Sequence, residues 1–107
     1  MNKKIGVLLP FKDNFTYSKA GSASIWIKDF NRKSLYKNNI YVCGNTDNLK
    51  DLIQKKNYLN IKFSDSTFQS KNKLYINEFI KLNSKHKFKL IEVHNRPSYV
   101  HALIKEK

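Results

Sequence analysis

The stretch spanning residues 88–97 restricts the fold more than any other, because an apolar run passes directly into a polar cluster and stops at a proline. Leu90, Ile91 and Val93 suit a strand buried in a sheet. Pro97 fixes its own φ and suits the first turn of a helix carrying Val100, Leu103 and Ile104. His94, Asn95 and Arg96 therefore fall in a strand-to-helix turn. In open α/β sheets ligands collect outside the carboxyl ends of the strands, which is where such a turn lies.

The same grammar recurs upstream. Residues 4–9 form a continuous apolar run closed by Pro10, the pattern of an interior parallel strand. A polar loop with aromatic residues follows to Gly21, longer than strand-to-helix connections usually are. From Ser22 to about residue 36, Ala23, Trp26, Ile27, Phe30 and Leu35 recur at helical spacing, with Ser22 or Gly21 as N-cap and Trp26 and Phe30 expected in the core. Residues 40–43 read as a second strand, and Asp47 can cap a short helix through Leu49, Leu52 and Ile53. Residues 58–63 read as a third strand, 71–85 as a helix with Tyr75 and Phe79 on a broad apolar face, and 88–93 as a fourth strand. This alternation predicts an α/β domain with a parallel, Rossmann-like sheet and flanking helices.

A length of 107 residues allows one small domain, and 40% hydrophobic content supplies a core. The helical pattern reaches the last residues without a Gly, Asn or Pro stop, so we expect the chain to be a piece of a longer one. Residues 2–9 resemble a charged leader with an apolar centre, but Pro10 and Lys12 interrupt a run too short for a signal peptide or a membrane span.

The formal charge of +13 invites a nucleic-acid reading, since clustered cations release counterions from phosphates. Residue type argues otherwise: Arg32 and Arg96 are the only arginines among 21 basic side chains, and the lysines are scattered. A solvated surface is the favoured reading, with a basic face resting on anionic lipid left open. Cys43, the single cysteine, excludes an intrachain disulfide and a paired-cysteine metal site; at a strand end it reads as a small buried hydrophobe. His86 and His101 read as structural or solvated, and no metal-ligand spacing is present, so no metal is expected.

Two places carry chemistry. Gly21-Ser22 opens a helix whose free N–H groups and dipole can hold a phosphate, although neither GxGxxG nor GxxxxGK[ST] is present and an ordinary capped helix explains the residues equally well. His94, Asn95 and Arg96 together offer a hydroxyl partner, a two-way amide and an anion grip. Asp13 and Glu92 could act as paired carboxylates only if the fold brought them together.

Two segments, residues 7–26 and residues 91–97, resemble the first strand, glycine loop and first helix, and the strand ending in a His-Asn-Arg-Pro turn, of family 4 glycosyltransferases of the GT-B fold. These include bacterial lipopolysaccharide and capsule enzymes. The resemblance implies that residues 1–107 are a partial, acceptor-side N-terminal domain, with a C-terminal donor-binding domain to follow. It further implies that Gly21 and Ser22 approach the diphosphate of a nucleotide-sugar donor and that His94, Asn95 and Arg96 line the cleft for a glycan or lipid-linked acceptor. The nucleotide sugar would be a substrate, with no cofactor or metal, and the enzyme would be cytoplasmic or peripheral at the inner membrane face. Ala20-Gly21 stands where the family has a Gly-Gly pair. The alternative is a stand-alone basic α/β module that binds a nucleotide, nucleic acid or anionic membrane surface.

Overall fold

The computed structural model describes residues 3–34, 37–64, 68–94 and 97–105. Four strands, β1 (Ile5–Leu8), β2 (Ile40–Gly44), β3 (Tyr58–Asn60) and β4 (Leu90–Val93), form one sheet in the order β3-β2-β1-β4. Every pairing is parallel: Val7 lies opposite Val42 on one side and Glu92 on the other. Three helices flank it, α1 (Ser22–Lys33), α2 (Lys71–His86) and α3 (Pro97–Lys105), so the chain is an α/β protein with a Rossmann-like sheet.

Strand alternation splits the core into two layers. Val7, Leu9, Ile40 and Val42 point to one face, where Ala23 and Ile27 of α1 and the loop residue Phe15 cover them. Leu8 and Cys43 point to the other, where Tyr75, Ile76 and Phe79 of α2 and Tyr99 of α3 pack. Each of the fully buried rings contributes on the order of 1.5–3 kcal/mol. Gly6 is needed here, because a Cβ on it would stand 2.7 Å from the Phe88 ring. Tyr75 ties α2 to the sheet by donating from its hydroxyl to the Leu9 carbonyl at 2.6 Å.

Several boundaries differ from expectation for identifiable reasons. Helix α1 stops at Lys33, where Ser34 turns to extended geometry and its N–H reaches the Asn31 carbonyl; residues 35–36 lie outside the described set. The short helix expected after Asp47 is only a 3-10 turn, Leu49–Asp51, capped by Asn48. It cannot lengthen because the backbone of Asp51 and Ile53 bonds to Tyr17 and Phe15 of the first loop. Strand β3 ends at Asn60 because its partner β2 ends at Gly44. Strand β4 starts at Leu90, as Lys87 and Phe88 serve the end of α2: Lys87 is left-handed at φ 57° and the Phe88 N–H bonds to Asn83 Oδ1.

Trp26 and Phe30 are not core residues. The buried stripe of α1 runs through Ala23, Ile27 and Asn31, and Trp26 and Phe30 stack on each other one step round the helix, 48% and 44% exposed. Tyr75 and Phe79 are buried as expected.

Candidate functional site

Strand order places a topological switch between β1 and β4: from β1 the chain moves to β2 and β3 on one side, then returns to the other. The segments leaving the carboxyl ends of these two strands are the loop 10–21 and the turn beginning at His94. Helix α1, into which the loop leads, meets this turn: the Trp26 and His94 ring centroids are 5.4 Å apart. Gly21 and His94 thus share one carboxyl edge.

The first loop begins with a tight reversal. Lys12 adopts φ 77°, a left-handed conformation that costs a non-glycine residue roughly 1–3 kcal/mol, and the Asp13 N–H returns to the Pro10 carbonyl at 3.0 Å. The reversal aims the Asp13 carboxylate at the start of α1, where Oδ1 accepts from the Gly21 N–H at 3.0 Å and from Ser24 Oγ at 2.5 Å. Gly21 occupies the N-cap position with no side chain to offer, so Asp13 supplies the cap and places negative charge at the positive end of the helix dipole. A Cβ at Gly21 would come within 2.8 Å of Asp13, which accounts for glycine there.

The rest of the loop is fastened to the β2–β3 side. Phe15 is fully buried, stacks on Tyr58 and donates its N–H to Thr46 Oγ1 at 3.2 Å. Thr46, Tyr58 and Asn60 form a closed hydrogen-bond set, and burial pushes the Tyr58 phenol up to about 12. Asp51 binds Ser18 through its backbone N–H and its hydroxyl, and the hydroxyl bond chiefly lowers the Asp51 pKa. Lys19 pairs with Asp47 at 3.3 Å on the surface.

On the β4 side, the His94 N–H bonds to the Leu8 carbonyl at 3.4 Å, which fixes where its ring begins. The imidazole lies against Trp26, and Nε2 stands 3.6 Å from Glu92 Oε2, an ion-pair distance that is too long for a hydrogen bond. That nitrogen is buried and has no hydrogen-bond partner among the described residues. Glu92 and Asp13 serve different neighbours, so they are not a carboxylate pair. Asn95 and Arg96 lie outside the described residues.

Trp26 is the contribution that sequence spacing missed, because both 23/27/31 and 26/30 fit a helix and only packing selects the buried stripe. Its indole lies between the His94 ring at the carboxyl edge and the Phe30 ring farther along α1. Cys43 is buried beneath α2, and burial pushes its thiol up to about 12, which removes it from nucleophilic chemistry. Among the described residues, no three His, Cys, Asp or Glu side chains converge on a point. No described helix is long and apolar enough to cross a membrane.

What the fold defines is a Rossmann-like α/β unit in which the Trp26 and His94 rings meet beside the switch point. No family model matches the chain, and neither a curated protein nor a solved structure matches it.

Proposed function

We propose that this chain is the acceptor-side, N-terminal part of a glycosyltransferase that moves a sugar from a nucleotide-sugar donor to a glycan or lipid-linked acceptor during cell-surface polysaccharide synthesis. The observation that carries the reading is the meeting of Trp26 and His94 over the β1–β4 switch point. Aromatic faces accept the apolar face of a sugar ring, and imidazole, carboxylate and amide groups pair with its hydroxyls. His94, whose ring lies against Trp26 beside Glu92, is the residue of this kind at that edge. Asn95 and Arg96 extend it by sequence adjacency.

Gly21 and Ser22 are proposed to approach the donor diphosphate. Because Asp13 already accepts from the Gly21 N–H, a diphosphate there must displace that carboxylate, since two anions cannot share one donor group. The crevice in its present form therefore suits the acceptor better than the donor. Partners on this reading are the nucleotide sugar, the acceptor and a donor-binding domain; the location is the cytoplasm or the inner membrane face.

The test is an NMR titration of the isotope-labelled chain with short glycans and with uridine diphosphate glucose. Saturable shifts at Trp26, His94 and Ser24 that His94→Ala weakens would support the reading. Unchanged spectra at those residues, with every added sugar, would end it.

A further inference from the structure

A second cleft lies at the opposite, amino edge of the sheet. It is bounded by the last turns of α1, by Lys37 and Asn38 before β2, and by the turn at Asn57 before β3, and it encloses about 290 Å³. Four cations line it, Lys28, Arg32, Lys37 and Lys56, and no carboxylate among the described residues does. None of the four is in an ion pair among the described residues.

Its lining is built of amides held in place. Gln54 Nε2 donates to the Lys56 carbonyl at 3.0 Å, and Asn57 Nδ2 donates to the Asn38 carbonyl at 3.0 Å. Asn57 itself is left-handed at φ 58°, a conformation Asn tolerates better than most residues. Asn31, only 5% exposed, takes the place of an apolar residue on the buried stripe of α1. Its Nδ2 donates to Gln54 Oε1 at 3.4 Å, while its Oδ1 is buried with no partner among the described residues. A buried acceptor left unpaired costs about 1–3 kcal/mol, a cost that a ligand hydroxyl would relieve. One wall is aromatic: Tyr17 lines the cleft with the Lys28 ammonium 5.7 Å from its ring centroid.

We propose that this cleft binds a small hydroxyl-bearing phosphate ester. The phosphate answers the four cations, whose charge outweighs the roughly half-unit negative end of the α1 dipole nearby. The dianionic phosphate group of a monoester carries no proton and only accepts hydrogen bonds, so it leaves Asn31 Oδ1 unpaired; a hydroxyl elsewhere on the ester donates. Sugar phosphates and nucleoside monophosphates share this chemistry. The site is distinct from the switch crevice and stands independently of the transferase reading.

The experiment is a titration of the labelled chain with glucose 6-phosphate, adenosine monophosphate, methyl phosphate and glucose, read at the side-chain amides of Asn31, Asn38 and Asn57. We expect one of the two hydroxyl-bearing esters to give saturable shifts, with a dissociation constant about tenfold or more below that of methyl phosphate, which has no hydroxyl, and glucose to give none. The ester that binds identifies the source. In the double variant Arg32→Gln, Lys37→Gln, both exposed side chains whose loss leaves the core intact, affinity should fall about tenfold or more, whereas Lys55→Gln, outside the lining, should leave it unchanged. No saturable shift with either ester would overturn the proposal. So would methyl phosphate binding as tightly as the hydroxyl-bearing esters, or Lys55→Gln weakening binding as much as the double variant, because either result describes diffuse attraction to a basic surface.

Discussion

The Gly21 N–H donates to Asp13 Oδ1, and the same oxygen would stand 2.8 Å from a Cβ at position 21. One carboxylate thus caps α1 and also dictates the residue it caps. The left-handed turn at Lys12, just after β1, is thereby joined to the start of α1 through Asp13.

Asp13→Ala should therefore lower stability by about 1–2 kcal/mol, the value of a lost helix cap. Gly21→Ala should also destabilise, by crowding Asp13. In the double variant the crowding has no target, so the combined loss should be smaller than the sum of the two. Urea unfolding midpoints of the four proteins decide this; strict additivity would mean that the two residues act separately.

Tyr75→Phe removes one oxygen from a side chain buried on the α2 face of the sheet. The Leu9 carbonyl it served would be left without that donor, so a loss of about 1–3 kcal/mol is expected in thermal or urea unfolding. A change within about 0.5 kcal/mol, the scale of ordinary surface substitutions, would show that the bond contributes little.

Cys43 gives a pH dependence with a definite sign. Its thiol is raised from 9.0 to about 12 by burial, so below pH 9 both folded and unfolded chains keep the proton and the group contributes nothing. Above pH 9 the unfolded thiol ionises while the folded one does not, and stability falls by up to about 1.4 kcal/mol per pH unit. Cys43→Ala lacks this term. The stability difference between the two proteins should shift in favour of the variant from pH 8 to pH 10.5, and parallel curves would contradict the assignment.

The parallel sheet was legible because continuous apolar runs, helical spacing and Pro97 all point the same way. The position of the first helix was legible too, but not its buried side: Ala23, Ile27 and Asn31 place a polar residue in the stripe, while Trp26 and Phe30 offer a more hydrophobic alternative. Only the sheet beneath can choose between them. At the site, His94 and Gly21 were marked by following strands, whereas the role of Asp13 depends on the backbone reversal at Lys12, which spacing cannot reveal. The amide-lined cleft escaped for a similar reason: Asn31, Asn38, Gln54 and Asn57 are spread over 27 positions in a chain rich in Asn.

The lysine excess should act as diffuse charge toward duplex DNA. Binding is expected to be weak, without sequence preference, and to collapse between about 50 and 200 mM salt, as exposed charges are screened over about 8 Å at physiological ionic strength. A fluorescence titration showing tight, sequence-dependent binding that Arg96→Ala abolishes would favour a nucleic-acid module instead.

Strand β1 precedes every other strand and yet occupies an interior place in the sheet, with Ile5 between Ile40 and Leu90. During synthesis its second flank stays open until β4 has emerged. At roughly 5–20 residues per second, the interval from β2 to β4 lasts on the order of a few seconds, which is long beside the roughly 0.1–100 microseconds of hydrophobic collapse. For that time Val7 and Leu8 border an unfilled slot on the nascent chain, a vulnerability to premature pairing that lies in the order of assembly and not in the finished protein.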